Sequence, residues 1–229
     1  MKLQGFLDQL LQSAQGAAGQ AMAKTGTSTT KGAGGGLGGL LNADFGKGAL
    51  TGGALGLLLG KNRTTRKLAT YGGLAALGVM AYRAYGDYKR QQLGAAAPEP
   101  QTVDRLPPLE VEQHSQAILR ALVAAAKADG HIDARERELI EGEFTRLNGD
   151  SDVQHWLHAE LEKPLDPAEV AQAATTPEMA SEMYLASLLA ADEQSFMERS
   201  YLDELARQLQ IDDALKGHLQ QQAAAARQE

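Results

Sequence analysis

The stretch EVEQHSQAILRALVAAAKAD, residues 110–129, decides the fold. Its apolar side chains recur at helical spacing, so that Ile118, Leu119, Leu122 and Val123 fall on one stripe. A stripe of this kind predicts an amphipathic α-helix that buries one face against its neighbours. No segment around it alternates apolar and polar residues with the period of two that is typical of a strand. We therefore predict an all-α fold.

The helical spacing continues to the end of the chain in six further segments. They are DARERELIEGEFTRLN (133–148), SDVQHWLHAELEK (151–163), DPAEVAQAA (166–174), PEMASEMYLASLLAAD (177–192), SFMERSYLDELARQLQ (195–210) and DDALKGHLQQQAAAA (212–226). Asp166 and Thr176 each precede a proline at the first helical position, a common helix start. The sequence thus predicts seven helices in residues 109–229, and about 120 residues of this kind can enclose one small core.

Charge and glycine content divide the chain into two unlike halves. Residues 1–100 hold 21 of the 25 glycines and a formal net charge of +7, whereas residues 101–229 have a net charge of −14. This asymmetry indicates two functional parts. The basic part suits an anionic membrane surface, while phosphates would repel the acidic part, so we expect no nucleic-acid partner. The chain has no cysteine, which excludes disulfides, thiolate metal sites and a cysteine nucleophile.

The glycine-rich half is predicted to be a membrane-associated region joined to the helical domain by a linker. The pattern indicates a flexible arm with a short amphipathic helix in residues 1–46, and Gly-rich apolar helical membrane segments in residues 47–91. Residues 92–108 are typical of a Pro/Ala linker. We expect no secretory signal, because the N-terminus lacks the pattern of charged start, apolar run and small-residue cleavage site.

Two apolar runs carry the membrane prediction, namely ALTGGALGLLLG (49–60) and LATYGGLAALGVMAY (68–82). Gly52, Gly56 and Gly60 recur every four residues, a spacing that lets membrane helices approach closely. We expect membrane lipid to be a partner through residues 49–85. The second run is nevertheless shorter than the ~20 residues that a spanning helix needs. A Gly/Ala-rich helical pair that packs on itself or on a partner is the alternative.

Two acidic motifs mark the starts of helices. Asp133 precedes a predicted helix and Glu136 follows three residues later, and Ser195 and Glu198 repeat the arrangement. Both pairs have the spacing of a capping box, in which the first side chain accepts a hydrogen bond from a backbone N–H of the first helical turn. Both motifs read A-D-loop-cap-x-x-E-R, and their recurrence at helix junctions suggests an internal duplication.

Capping leaves one acid in each motif unexplained. Asp129 and Asp192 each end an apolar helix, where the helix macrodipole disfavours a negative charge. Such an acid needs another partner, which could be a metal ion, an arginine or a loop amide. Hard oxygen ligands would suit Ca²⁺, Mg²⁺ or Mn²⁺. The loop is not an EF-hand, because Ala134 and Ile140 stand where that motif has glycine and glutamate.

Two histidines offer a second, weaker metal hypothesis. His155 and His158 share one helical face at a spacing that can hold a metal, but the sequence shows no third ligand near them.

The stretches AKADGHIDARERELI (126–140) and AADEQSFMERSYLDELARQL (190–209) resemble the TerB-like (tellurite-resistance) family. With the Gly-rich apolar half and LEKPLDP (161–167), the chain resembles YebE-type inner-membrane proteins of proteobacteria over residues 45–225. The resemblance implies a seven-helix bundle at the cytoplasmic side of a bacterial inner membrane. It also implies acidic clusters that bind a divalent metal and a role in stress response. The metal ligands implied are Asp129, Asp133, Glu136, Asp192 and Glu198. Ser195 replaces the carboxylate of Asp133 in the second motif, which weakens that site.

These observations lead us to expect a membrane-associated binding or scaffold protein with a divalent-cation site and an unknown protein partner. We expect no enzyme activity, because no nucleophile or phosphate loop adjoins the acids. Three alternatives stay open. The Asp129/Glu136 and Asp192/Glu198 carboxylates would serve a metal-dependent hydrolase. The glycine zipper would build a structural homo-oligomer. Helix capping and loop hydrogen bonds alone would also account for the first acidic loop.

Overall fold

The computed structural model describes residues 73–94, 98–128, 151–191 and 195–228, together with residue 132 and six residues between 137 and 145. Its helices are α1 (Gly73–Leu93), α2 (Pro108–Lys127), α3 (Ser151–Glu162), α4 (Pro167–Ala171), α5 (Pro177–Ala190), α6 (Phe196–Gln208) and α7 (Asp213–Gln228). The six residues between α2 and α3 are helical as well. No strand occurs in the described ranges, and the predicted all-α class is confirmed.

Helix α5 forms the centre of the molecule. Its first turn starts as predicted, with Pro177 at the first helical position and the Thr176 hydroxyl accepting a hydrogen bond from the Met179 N–H at 3.1 Å. Every residue from Met179 to Ala190 is buried. A helix that is buried on all sides must be surrounded by other helices, and α5 packs against α1, α2, α6 and α7.

Helices α2 and α5 run parallel and make the most extensive contact in the structure. The His114 imidazole meets the Glu182 carboxylate near their N-terminal halves. Further along, the Ser187 hydroxyl donates to the Ala121 carbonyl at 3.4 Å. The second contact lies closer to the C-terminus than the first on both helices. The C-terminal ends of α2 and α5 therefore lie at the same end of the bundle.

Helix α1 belongs to the same core as the helices that follow it. Its side chains Leu77, Ala81, Ala84 and Tyr85 are buried within the single apolar cluster. The Tyr88 hydroxyl donates to the Asp212 carboxylate at 2.5 Å, which places the start of α7 near the end of α1. Since few residues of α1 remain beyond Tyr88, the extensive contact between the two helices requires α7 to run back along α1 in the antiparallel direction.

The described part of residues 47–91, for which the sequence predicts a membrane segment, lies in the helical core. From Gly73 onward, the apolar run packs against α5 and α7, because its small and apolar side chains fit the faces of those helices. None of the described helices combines the length and the apolar character that crossing a bilayer demands. The arm, the run at 49–60 and its Gly52, Gly56 and Gly60 lie outside the described residues.

The segment that connects α1 and α2 packs against the helices. We call residues 98–107 the strap. Within it Thr102 and Val103 are buried, and the Arg105 guanidinium sits 3.9 Å from the centre of the Tyr82 ring. A Cβ at Gly78 would lie 2.6 Å from Asp104 Oδ1 and 3.0 Å from the Asp104 backbone nitrogen. Only glycine permits this approach, so part of the predicted linker is a packed element.

Replacing Gly78 with alanine tests this close approach. We expect Gly78→Ala to destabilise the protein by about 1–3 kcal/mol, because the added methyl overlaps the strap backbone. The matched control is Gly217→Ala in α7, where a Cβ would meet nothing within 4 Å. That control should stabilise the protein by up to about 1 kcal/mol through helix propensity. Urea unfolding followed by circular dichroism measures both changes, and equal effects of the two substitutions would contradict the packing.

Truncation tests whether α1 is part of the folding unit. A chain of residues 109–229 lacks α1 and the strap, which leaves apolar faces of α5 and α7 exposed. We expect it to be less stable than residues 73–229 by more than about 5 kcal/mol, because deleting one large buried side chain already costs about 2–5 kcal/mol. Thermal unfolding of the two fragments, with the full chain as reference, gives the comparison. Equal midpoints for the two fragments would show that α1 is dispensable.

Candidate functional site

The two acidic loops leave the bundle at the same end. Ala128 ends α2 and Ala191 ends α5, and each is only 2% exposed. Because α2 and α5 are parallel, the chain enters both loops from one end of the helix pair. Of the predicted ligands, Asp129, Asp133, Glu136 and Asp192 lie outside the described residues, and Glu198 lies within them. The C-terminal ends of α2 and α5, after which the two motifs begin, therefore lie at the same end of the helix pair, which their separation in sequence did not reveal.

Lys127 anchors the start of the first loop. Its ammonium donates hydrogen bonds to the Glu160 carbonyl at 3.1 Å and to the Lys163 carbonyl. Carbonyls in the last turn of a helix have no partner within the helix, so Lys127 completes the C-terminus of α3. Burial lowers the pKa of Lys127, and the Glu160 carboxylate opposes that shift. Lys127, which directly precedes Ala128 and Asp129, is therefore tied to α3.

A network of charges surrounds this anchor. The Glu160 carboxylate is 3.1 Å from Arg120 Nε and 3.1 Å from Lys163 Nζ, and Lys163 also lies 2.8 Å from Glu169. Glu160, Lys163 and Glu169, together with Leu165, help to line a small pocket between α2 and the LEKPLDP stretch. The structure thus joins two stretches that the resemblance singled out separately. The helical periodicity of the sequence did not reveal this network. A glutamate at the position of Glu160 suggests solvent exposure, and Glu160 is buried only because other elements pack against it.

The second motif is capped as predicted. The Ser195 hydroxyl accepts a hydrogen bond from the Glu198 N–H at 3.4 Å, and Ser195 is the N-cap of α6. Glu198 lies in the first turn and is 7% exposed. The positive end of the helix macrodipole favours a carboxylate there. Next to Glu198, Phe196 and Met197 are exposed large apolar side chains.

An exposed cluster lies beside the first motif. The His158 imidazole is 2.7 Å from Glu141 and 3.7 Å from Glu162, and Glu162 is also 3.3 Å from Arg137. The hydrogen bond and the charge of Glu141 raise the pKa of His158. The two carboxylates approach opposite nitrogens of the ring and so do not converge on one point. Within the part of the chain that the structure describes, no three His, Asp or Glu side chains are grouped to hold a metal ion.

Comparison with known proteins identifies the family. A family model described as "Protein of unknown function (DUF533)" matches residues 44–223. The chain belongs to this family. The DUF533 match includes α1 and the strap, in agreement with their place in the core. The chain is also 32% identical over 123 residues to a protein of Yersinia enterocolitica called "Uncharacterized protein in ampR 5'region", which covers 54% of this chain and 87% of that protein. No solved structure matches the chain.

Removing the Lys127 ammonium tests the anchor of the first loop. We expect Lys127→Met to destabilise the protein by about 1–3 kcal/mol, because it leaves two part-buried carbonyls at the end of α3 without this donor. Lys216→Met is the matched control, since Lys216 is paired with the exposed Asp203 at 2.7 Å. A surface pair of this type is worth about 0–1 kcal/mol. Urea unfolding measures the free energy of unfolding of both variants. A smaller loss of this free energy for Lys127→Met than for its control would refute the anchoring role.

Proposed function

We propose that this chain is a binding protein that presents two acidic loops at one end of a helical body and binds a divalent cation there. The observation that supports this best is the parallel packing of α2 and α5, with Ala128 and Ala191 both buried at their C-terminal ends. Parallel packing directs two loops that are distant in sequence to one end of the molecule. The unexplained aspartates, Asp129 and Asp192, each follow one of these buried alanines directly.

The donor chemistry of the two loops determines which ion they would bind. The candidate ligands Asp129, Asp133, Glu136, Asp192 and Glu198 all offer carboxylate oxygens, which suit Ca²⁺, Mg²⁺ or Mn²⁺ rather than a soft metal. Glu198 is buried in the first turn of α6 and is a carboxylate held in place at the second loop. The anchored Lys127 would limit the motion of the first loop, which lowers the entropy lost when an ion is bound.

We further propose that the cation-binding end engages a protein partner, and that the apolar residues between 49 and 72 associate the chain with a bacterial inner membrane. The exposed Phe196 and Met197 beside the second loop support a protein contact. The charge asymmetry supports membrane contact through the basic N-terminal half. A TerB-like bundle of the YebE type with a role in stress response is the finer proposal, and the all-helical body and its paired acidic motifs support it.

Calorimetric titration of the full chain with Ca²⁺, Mg²⁺ and Mn²⁺ tests the cation site. We expect saturable binding of at least one ion, and at least about tenfold weaker binding in the variant Asp129→Asn/Asp192→Asn, a loss of ~1.4 kcal/mol. The matched control is Asp203→Asn/Asp213→Asn, which makes the same charge change outside the two loops. No saturable heat, or equal affinity in both double variants, would leave capping and loop hydrogen bonds as the role of these acids. Turnover of a phosphoester panel by the metal-loaded chain would instead support the hydrolase.

A further inference from the structure

A buried carboxylate holds the strap on the central helix, far from the acidic loops. Glu182 of α5 is 0% exposed. Its Oε1 accepts a hydrogen bond from the Val103 N–H of the strap at 2.5 Å, and its Oε2 meets Nδ1 of His114 of α2. His114 and Val103 are themselves buried. One side chain therefore joins three elements, and both of its oxygens are used.

The charges around Glu182 determine how many protons the site holds. From the strap, the Asp104 carboxylate faces Glu182 and repels it. From α2 comes His114, which meets the other carboxylate oxygen. Of the two charged groups that act on Glu182, His114 is the one that can become a cation. The pair has no net charge when it holds one proton more than a neutral imidazole with a carboxylate, either as imidazolium with carboxylate or as neutral imidazole with carboxylic acid.

Loss of that proton would give the buried pair a net negative charge next to Asp104: a neutral imidazole can still donate its Nδ1–H to the carboxylate, but it no longer supplies a cation. A buried charge without a compensating cation is costly. Burial is the main reason why the pKa of Glu182 is raised, while His114 and the Val103 N–H partly offset it. A group whose pKa is raised on folding stabilises the folded state at low pH, and this contribution is lost as the pH rises through its folded value.

We propose that the contact between Glu182, His114 and Val103 is a proton-dependent latch, closed while the pair shares a proton and released when that proton is lost. The strap is the covalent link between α1 and α2, and it covers α1 at Gly78. Release of the latch at higher pH loosens the strap and, with it, the packing of α1 in the core. Because residues 1–72 directly precede α1 in the chain, the latch makes the attachment of the N-terminal half to the helical body sensitive to pH.

A single reactive thiol can measure this release, since the chain has no cysteine of its own. Thr102 is 0% exposed and precedes the latched Val103, so a thiol in Thr102→Cys reacts only when the strap opens. Labelling of the full chain with iodoacetamide is followed from about pH 6 to about pH 9, on both sides of neutral pH. Each rate is divided by that of a short cysteine peptide at the same pH. We expect the normalised rate to rise about tenfold or more across this range.

Two further variants in the Thr102→Cys background separate the latch from general softening of the fold. Glu182→Gln keeps an acceptor for the Val103 N–H and offers a donor to neutral His114, but its amide does not ionise in this range. It should abolish the pH dependence of labelling. Glu178→Gln, one turn earlier on the same helix, should retain it. A normalised rate that is flat or falls with pH, or the same slope with and without Glu182→Gln, would overturn the latch.

Amide hydrogen exchange of residues 101–106 in the unsubstituted chain provides the second measurement. It is needed because Thr102→Cys removes the hydrogen bond that the Thr102 hydroxyl donates to Asp104 at 2.6 Å. After correction for the intrinsic pH dependence of exchange, protection of the Val103 amide should fall as the pH rises while α5 stays protected. Equal loss of protection in α5 would indicate global unfolding and would contradict a local latch.

Discussion

Helix α5 has no face toward solvent along most of its length, and the rest of the structure follows from that constraint. A helix buried from Met179 to Ala190 must find an apolar or hydrogen-bonded partner on every side. Helices α1, α2, α6 and α7 supply those partners. The burial also explains why α1, which precedes the acidic half of the chain in sequence, is held in the same core. Without it, one side of α5 and the facing side of α7 would be open to water.

The polar residues of α5 fix how its neighbours are arranged. Ser187 donates to the Ala121 carbonyl, and Glu182 takes up both the Val103 N–H and His114. A buried polar group that lacks a partner costs free energy, so these contacts select one orientation of α2 and one path for the strap. The parallel direction of α2 and α5 is a result of this arrangement. The same direction puts the C-terminal ends of α2 and α5, after which the acidic motifs begin, at one end, and the Glu182 contact lies toward the other.

The two ends of the α2–α5 pair therefore have different chemistry. At the C-terminal end the chain enters two acidic loops, of which the first is anchored by Lys127 and the second is capped by Ser195. Toward the N-terminal end a single buried carboxylate ties the strap to the helices. If the first is a cation site and the second a proton-dependent latch, as proposed, ions would act on one end of the pair and protons on the other. Both would be coupled through the same two packed helices.

The sequence by itself determined the helical class and the starts of the helices that begin at a capping residue. Thr176 and Ser195 cap as their types and spacing predict, because capping involves only atoms within one turn of the chain. The sequence also marked Asp129 and Asp192 as acids without a local explanation. Only the tertiary structure decided that α1 is a core helix and that the strap is packed. Both depend on the shape of helix surfaces that are distant in sequence, and the apolar composition of a segment does not encode that shape. A Gly/Ala-rich run is compatible with a lipid environment and equally with packing against α5 and α7. The roles of Lys127, Glu160 and Glu182 were hidden for the same reason, since their partners lie on other elements and their burial arises only when those elements meet.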